Sequence, residues 1–216
     1  MMSKKIIIVG NGKLSKSLQS NLTNNNLCIF DKSNIKKLAS CQADILIDCS
    51  LPSAFEDIHS YLINHQIPAI ICSTGHDEKQ IQKLKTLSNS IPIFKSENFS
   101  LGISLIKQML KDKTSLLSNY DCHLIDIHHE NKIDSPSGTS LFLSSNLKNI
   151  NHISIRSKNV IGEHKILLIS DDEEIAITHK ITSRDVFAKG IILAIRYIDG
   201  KKNGLYTMED LTNEMQ

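Results

Sequence analysis

The sequence lacks the features that mark membrane, secreted and nucleic-acid-binding proteins. No apolar run among its 216 residues approaches membrane-spanning length. The start of the chain offers only Ile6–Val9 as an apolar run before a glycine turn, which is too short for a signal-peptide core. The net charge of +2 is too small and too evenly spread to indicate binding to nucleic acid or to a membrane. We therefore expect a globular, cytoplasmic protein.

Metal-ligand and disulfide patterns are also missing. The five cysteines form no C-x-x-C pair and no metal-ligand spacing, and their odd number fits a reducing compartment. Two adjacent histidines, His128 and His129, have neither the H-E-x-x-H spacing nor further ligands that a zinc site would prefer. We predict no metal site.

What the first hundred residues do contain is a regular alternation of short apolar strands and helices. Lys5–Val9 is a β-branched run that ends at a Gly-Asn-Gly turn, and a helix follows with leucines at four-residue spacing. Four more strands are predicted at residues 27–30, 44–48, 68–72 and 91–94. Continuously apolar strands between helices are typical of a parallel sheet that is covered on both faces. We predict a doubly wound, Rossmann-like dinucleotide-binding domain.

From Ser100 the pattern changes to that of an α+β domain with a mostly antiparallel sheet. Helices are predicted at residues 101–117, 137–147 and 183–198, and strands at residues 122–127, 152–156, 164–170 and 174–180. The last helix is expected to return to the first domain. We therefore assign residues 1–98 plus 184–216 to dinucleotide binding, and residues 99–183 to substrate binding and oligomerisation. The side of the sheet that carries Ile175 and Ile177 must be covered, either by the domain's own helices or by another subunit.

The turns after the first two strands are the candidate dinucleotide site, since ligands of such sheets lie beyond the carboxyl ends of the strands. Gly10-x-Gly12 is a weak signal by itself, because the full fingerprint has a third glycine. Asp31, about twenty residues further on, can accept from ribose hydroxyls, which favours NAD. Lys32 beside it could pair with a 2′-phosphate, so the sequence is compatible with either NADH or NADPH as the cofactor. Asp31-Lys32 is also compatible with a solvated turn that binds no cofactor.

The strongest chemical signal is Asp126–Ser140, with the sequence D-I-H-H-E-N-K-I-D-S-P-S-G-T-S. Lys132 offers a positive charge, the imidazoles of His128 and His129 can donate hydrogen bonds or protons, and the N–H groups at a helix start attract anions. We interpret the stretch as the substrate and proton-transfer site, suited to an anion with several oxygens. Three later histidines are interpreted as ordinary strand residues: His152, His164 and His179.

With these residues the sequence resembles the 4-hydroxy-tetrahydrodipicolinate reductase family, formerly called dihydrodipicolinate reductase. The family pattern at the site is approximately E-x-H-H-x-x-K-x-D-A-P-S-G-T-A, with conservative changes here at Asp126, Ser135 and Ser140. Further matches run along nearly the whole chain: D-I-L-I-D-C-S-x-P (44–52), S-T-G (73–75), E-N-F-S-L-G (97–102), I-G-E-H (161–164), I-T-H-K (177–180) and S-R-x-x-F-A-x-G (183–190).

The resemblance implies NAD(P)H-dependent reduction of a cyclic imine dicarboxylate, with loss of water, in lysine and diaminopimelate biosynthesis. It implies that His128 is the catalytic acid/base, that Lys132 is a second proton donor, and that the enzyme is a homotetramer. Because its side chain stays charged, Lys132 is expected to act as much in binding the anionic substrate as in the chemistry. The implied substrate-binding residues are His129, Ser137, Gly138 and Thr139. The implied cofactor-binding residues are Gly10, Asn11, Gly12, Lys13, Leu14, Asp31, Lys32, Cys72, Ser73, Thr74, Ser96, Glu97, Asn98 and Phe99.

The sequence departs from the family pattern at three places. Its glycine-rich turn is shorter than the common G-x-x-G-R-M-G form, and Cys72 replaces the first glycine of the usual G-T-T-G. The region between Leu147 and Val160 is also short, which should trim a loop or strand from the second domain.

Two other functions compete with this interpretation. One is an amino-acid dehydrogenase of the same two-domain plan, such as an aspartate-dehydrogenase-like protein, and the His-His-x-x-Lys and Ser-Gly-Thr motifs argue against it. The other is a dinucleotide-sensing regulatory protein without catalysis, against which the presence of His128 and Lys132 argues. Substrate-dependent oxidation of a reduced dinucleotide discriminates the enzyme from the sensor.

Overall fold

The computed structural model describes residues 4–215, which divide into two compact units. Unit 1 runs to Phe99 and resumes at Phe187, and unit 2 comprises Ser100–Val186. Between residues 4 and 215, no helix has both the length and the apolar character needed to cross a membrane.

Unit 1 is built on a six-stranded parallel sheet. Its strands are β1 (Lys5–Val9), β2 (Asn26–Phe30), β3 (Ile45–Asp48), β4 (Ala69–Ile71), β5 (Pro92–Lys95) and β10 (Gly204–Tyr206). They lie in the order β10-β5-β4-β3-β1-β2. The predicted Rossmann-like fold is confirmed, with one strand more than predicted. That strand, β10, has three half-buried residues and is too short to show a sequence period.

Helices flank this sheet and bury its central strands. The helices are α1 (Lys13–Asn21), α2 (Phe55–His65), α3 (Glu78–Leu87), α7 (Asp185–Ile198) and α8 (Met208–Glu214), with 3-10 helices at Ile35–Ser40 and Pro52–Ala54. Ile6, Ile7 and Ile8 of β1 are each at most 1% exposed, although successive side chains point to opposite faces. The continuous β-branched run of β1 is therefore explained by burial on both faces.

The strand order places a topological switch at β1. The chain goes from β1 to β2 on one side, and β3 pairs with β1 on the other side. Gly10, Asp31 and Cys49 follow the carboxyl ends of these three strands. Such a switch point is where open α/β sheets bind their ligands.

Unit 2 has a four-stranded mixed sheet in the order β7-β6-β8-β9. Its elements are α4 (Leu101–Asp112), α5 (Thr114–Leu117), β6 (Asp121–His128), α6 (Gly138–Ser144), β7 (Ile150–Arg156), β8 (Glu163–Ile169) and β9 (Glu174–Lys180). Only the β6–β7 pairing is parallel, so the predicted mostly antiparallel sheet is confirmed.

Two helices of unit 2 are shorter than predicted. The helix predicted at residues 101–117 is interrupted at Lys113, which leaves the helical conformation with φ −117° and ψ 15°. The Thr114 hydroxyl there donates to the Leu110 carbonyl at 3.2 Å, a local bond that competes with helix continuation. The helix predicted at residues 137–147 ends at Ser144.

The alternation of side chains along β6 decides which residues face the interior of unit 2. Leu124 is fully buried in a core that includes Ile103 and Leu143, and Asp126 and His128 follow it at two-residue spacing. All three therefore share the buried face of the sheet. His123, an odd number of residues away from His128, lies on the opposite face.

We predict that Gly190→Ala destabilises unit 1. An added Cβ at this position of α7 would lie 1.7 Å from the Phe99 carbonyl oxygen, so the helix could no longer pack where it does. Overpacking of this kind costs about 1–3 kcal/mol of unfolding free energy. Urea unfolding followed by circular dichroism measures it. Gly12→Ala is the matched control, because its Cβ would have no described atom within 4 Å. Equal stability of Gly190→Ala and the wild type would contradict this packing.

Candidate functional site

A cleft of about 600 Å³ lies at the switch point of unit 1. Its lining includes five of the residues predicted to bind a cofactor: Gly10, Asn11, Gly12, Asp31 and Lys32. The loops after β1 and β2 thus meet in one place, as the parallel topology requires.

The glycine turn in this cleft needs its first glycine and leaves helix N–H groups uncapped. Gly10 has φ +111°, and a Cβ there would lie 2.3 Å from the Cys49 carbonyl oxygen. Gly12 is the N-cap of α1 and provides no side-chain cap. The turn therefore packs closely on the end of β3, and the first amides of α1 are available to an anion.

The Asp31 carboxylate is fixed by its neighbours in an ionised form. One oxygen accepts from the Ser33 hydroxyl at 2.6 Å and the Ser33 amide at 2.9 Å, and the other accepts from Asn11 Nδ2 at 3.4 Å. The hydrogen bonds from Ser33 hold the pKa of Asp31 below its ordinary value. Ser33 did not feature in the sequence interpretation, although an Asx-type turn after Asp is a recognisable signal.

The other predicted cofactor residues do not line this cleft among the residues that the structure describes. Ser73 is buried and donates its hydroxyl to the Asp48 carboxylate. Ser96 donates to the Asn98 carbonyl at 2.8 Å, and Phe99 is 3% exposed with its ring 5.9 Å from that of Phe94. These side chains shape the ends of β3, β4 and β5. The remaining predicted cofactor residues lie at the start of α1 (Lys13 and Leu14) and in the loops after β4 (Cys72 and Thr74) and β5 (Glu97).

In unit 2 the candidate site is organised by the buried carboxylate of Asp126. This carboxylate accepts four hydrogen bonds: from Arg156 at 2.7 Å, the Ser154 hydroxyl at 2.6 Å, His128 Nδ1 at 2.9 Å and the Ser137 amide at 3.3 Å. Burial by itself would raise the pKa of Asp126, but these bonds lower it to about 2. Relative to its usual value of 3.8, the ionised form gains about 2 kcal/mol. That stabilisation is present above about pH 4 and is lost as the pH falls through about 2.

His128 lies at the end of β6 with one ring nitrogen engaged and the other directed away from Asp126. Nδ1 bonds Asp126, which leaves Nε2 as the free nitrogen of the ring. A Cβ built on Gly162 would be 3.2 Å from this Nε2, so the absent side chain leaves room there. Burial lowers the pKa of His128 below 6.5, the bond to Asp126 raises it, and the charge of Lys132 lowers it further.

His164 connects His128 to the start of α6. It is 2% exposed, its ring meets that of His128 edge-on at 5.2 Å, and its Nε2 lies 3.2 Å from the Ser137 hydroxyl. Ser137 is the N-cap of α6 and accepts from the Ser140 amide. His164 lies in β8 as expected, and its imidazole also contacts two predicted site residues, which the interpretation as an ordinary strand residue did not include.

Lys132 and the first amide of α6 converge on one carboxylate. The Lys132 ammonium lies 2.7 Å from Asp134 Oδ1, and the Gly138 N–H donates to Asp134 Oδ2 at 3.2 Å. The burial of Asp134 works against its ionisation, but the bond from Lys132 leaves its pKa lowered. His129 and Thr139, the other predicted substrate ligands, are half-buried at the end of β6 and in the first turn of α6.

Sequence reasoning missed three residues that complete this site: Ser154, Arg156 and His164. Arg156 bonds Asp126 and also donates to the Asp134 carbonyl at 2.6 Å, so it joins β6 to the loop that carries Lys132. Asp126 begins the predicted site stretch, and period-two alternation puts it on the face of His128. The other three depend on the register of β7 and β8 against β6, which a single sequence does not give.

Models of two dihydrodipicolinate reductase domains match the chain. The model described as "Dihydrodipicolinate reductase, N-terminus" matches residues 13–99, and the one described as "Dihydrodipicolinate reductase, C-terminus" matches residues 102–212. Together they cover most of the sequence.

Three curated relatives of this chain are all named 4-hydroxy-tetrahydrodipicolinate reductase. The 4-hydroxy-tetrahydrodipicolinate reductase of Clostridium novyi is 34% identical over 97% of this chain and 98% of its own length. That of Thermosipho africanus is 33% identical over 94% and 93% of the two chains, and that of Buchnera aphidicola from Schizaphis graminum is 35% identical over 95% and 80%.

Solved structures share the fold at lower identity. A dipicolinate-bound dihydrodipicolinate reductase from Paenisporosarcina sp. TG-14 superposes with a TM-score of 0.79 at 16% identity, covering 95% of this chain and 98% of its own. An aspartate dehydrogenase from Thermotoga maritima superposes with a TM-score of 0.55 at 12% identity, covering 92% and 97%.

We predict that Gly162→Ala lowers the pKa of His128 further. The added methyl group would meet Nε2 at 3.2 Å and exclude water from it, which disfavours the charged imidazolium. NMR titration of the histidine ring resonances measures the change. His123, on the opposite face of the same strand, is the internal control, and its ring resonances at a fixed pH should match those of the wild type. A rise in the pKa of His128, or no change, would contradict the placement of Gly162 against Nε2.

Proposed function

This chain belongs to the 4-hydroxy-tetrahydrodipicolinate reductase family, and on that premise we propose a division of the reaction between its two units. The activity is the reduction of 4-hydroxy-tetrahydrodipicolinate in lysine and diaminopimelate biosynthesis by a nicotinamide dinucleotide. In our proposal, unit 1 binds the dinucleotide, while unit 2 binds the substrate and supplies the proton.

The cleft of unit 1 suits a dinucleotide. The uncapped first turn of α1 and the close-packed turn at Gly10 offer backbone amides to the pyrophosphate. Asp31 is held ionised and can accept from ribose hydroxyls, and Lys32 in the same cleft can pair with a 2′-phosphate. When bound, the reduced nicotinamide supplies the hydride. We propose that NADH and NADPH are both accepted, because the cleft contains a group suited to each.

His128 is proposed as the proton donor. Reduction moves electron density toward the ring nitrogen and adjacent carbon of the substrate, so an acid placed there lowers the barrier by about 10²–10⁴-fold in rate. The bond from Nδ1 to Asp126 fixes the tautomer and presents the transferable proton at Nε2, where Gly162 leaves room. The buried, ionised carboxylate of Asp126 also stabilises the imidazolium before transfer.

One observation carries the proposal for the substrate carboxylates. Lys132 and the Gly138 amide already share a carboxylate, that of Asp134. The charge of Lys132 suits an anionic substrate, and the family resemblance implies that Gly138 binds it. A fixed ammonium and a helix amide that meet on one carboxylate are a suitable grip for a dicarboxylate. We propose that a substrate carboxylate uses the same two donors, with His129, Ser137 and Thr139 beside them.

We also propose a homotetramer located in the cytoplasm. Ile177 packs on the core of unit 2, whereas Ile175 on the same side of the sheet is 41% exposed, so the unit's own residues cover that side only in part. The opposite side exposes Ile153 and Ile155 at 41% and 43%, and these pair with Ile125 and Ile127 of β6. This apolar surface supports subunit contact through the sheet. The five cysteines are free, which supports a reducing compartment.

We predict that His128→Gln lowers kcat far more than it changes dinucleotide affinity. The loss should be about 10²-fold or greater, because the general acid is removed and the cleft of unit 1 is intact. In the wild type, kcat/KM should fall as the pH rises through the pKa of His128, since the protonated form is the donor. The assay follows the oxidation of NADH or NADPH at 340 nm in the presence of freshly made 4-hydroxy-tetrahydrodipicolinate. Near-normal turnover of His128→Gln would show that another group is the acid.

Lys132→Ala is the companion variant in the same assay. It should raise KM and lower kcat together, because Lys132 binds the substrate carboxylate in the ground state and in the transition state. An unchanged KM would show that Lys132 does not bind the substrate carboxylate, and it would leave the assignment of His128 unaffected.

The division of cofactor recognition between Asp31 and Lys32 gives a further prediction. Asp31→Ala should weaken NADH more than NADPH, because it removes the acceptor for ribose hydroxyls, and Lys32→Ala should weaken NADPH more. Calorimetric titration of each variant with both dinucleotides measures the four affinities. Equal losses for the two dinucleotides would reject this division.

A further inference from the structure

We propose that His164 is a positioning residue that aligns the proton-donating imidazole of His128 with the carboxylate-binding start of α6. The inference rests on the proposed function of those two groups. This positioning role does not require His164 to contact the substrate. It acts through its two neighbours, the His128 ring and the Ser137 hydroxyl.

The first line of support is that an imidazole is a poor choice for a purely structural residue here. His164 is 2% exposed on the buried face of β8, next in the alternation to the core residue Ile166. Its Nδ1 is buried and has no hydrogen-bond partner among the described residues. A buried polar atom without a partner is unfavourable, and an aliphatic side chain would avoid it. We therefore attribute the presence of an imidazole here to the contacts of its Nε2 atom and its ring edge.

The second line of support is the pair of contacts that the ring makes. Its Nε2 lies 3.2 Å from the Ser137 hydroxyl, which also accepts from the Ser140 amide as the N-cap of α6. Its edge meets the His128 ring at 5.2 Å with an interplanar angle of 72°. One rigid ring thus fixes the rotamer of the N-cap and one side of the His128 imidazole.

The third line of support is that His164 stays neutral beside a group that must carry a proton. Burial, together with the positive charge of protonated His128, lowers the pKa of His164 to about 4. The other charged or titratable groups that face it are Asp126, His179 and Lys132. A neutral ring can hold the orientation of His128 without repelling its imidazolium form, which a lysine or arginine at this position would do.

The two contacts can be separated by two substitutions. His164→Gln puts an amide near the Nε2 position, so it keeps the bond to Ser137 but loses the ring against His128. His164→Phe keeps the ring but loses the bond. We expect His164→Gln to keep KM within about twofold while kcat falls about tenfold, because the His128 ring loses the ring that packs against it. His164→Phe should keep kcat within about twofold and raise KM about tenfold, since a lost hydrogen bond of this kind is worth about tenfold.

His164→Leu removes both contacts, and it removes the buried Nδ1 without a partner. It should therefore lower kcat and raise KM, while its melting temperature stays equal to that of the wild type or rises. This variant keeps the inference testable if His164→Phe does not fold. A parallel loss of melting temperature and activity in all three variants would mean a structural role and would overturn the inference.

His152 provides the matched control. It lies in the same sheet, and its Nδ1 is also buried without a partner among the described residues, but it pairs across the sheet with Leu124. His152→Gln and His152→Phe should leave kcat and KM unchanged. If the His152 variants show the same separation of kcat and KM as the His164 variants, the inference is wrong.

The measurements also separate this inference from the proposed function. If the wild type turns over and His128→Gln is impaired, but all His164 variants match the wild type, only the positioning role fails. If the wild type shows no substrate-dependent oxidation of NADH or NADPH, the proposed function fails, and the inference fails with it. A double variant adds a direct check: on a Ser137→Ala background, His164→Phe should cause no further rise in KM.

Discussion

A single buried carboxylate, that of Asp126, is the interaction on which the unit 2 site depends. A charge that is taken out of water must be compensated, and here an arginine, a hydroxyl, an imidazole and a backbone amide do so. These donors come from β6, β7 and the N-cap of α6. Because all of them must meet one carboxylate, its ionisation ties strands and helix into one arrangement and fixes the tautomer of His128.

Both units present backbone amides at a helix start close to a charged side chain. In unit 1, the uncapped first turn of α1 and a glycine turn present backbone amides, with an ionised aspartate nearby for hydroxyl groups. In unit 2, the first amide of α6 and Lys132 meet on the Asp134 carboxylate. Helix starts supply partial positive charge whose position is set by the fold, so little reorganisation is needed when an anion binds.

Burial and hydrogen bonding act in opposite directions on the histidines of this site, and the balance gives them different roles. His128 keeps a bond to an ionised carboxylate, which offsets part of the effect of burial on its pKa. His164 lacks such a bond, and burial is the main reason that its pKa is lowered to about 4, so its ring is neutral near pH 7. The two rings lie 5.2 Å apart, so a carboxylate-bonded imidazole and a neutral, buried imidazole share this part of the site.

The sequence by itself determined the strand and helix alternation of unit 1, the glycine turn and the His128–Lys132 motif, because these depend on local periodicity and short spacings. It left out β10, whose three residues carry no period, and it merged α4 with α5 across a break at Lys113. Only the tertiary structure decided that Ser154, Arg156 and His164 complete the site. Their approach to β6 depends on strand register, which is set by packing between segments distant in sequence.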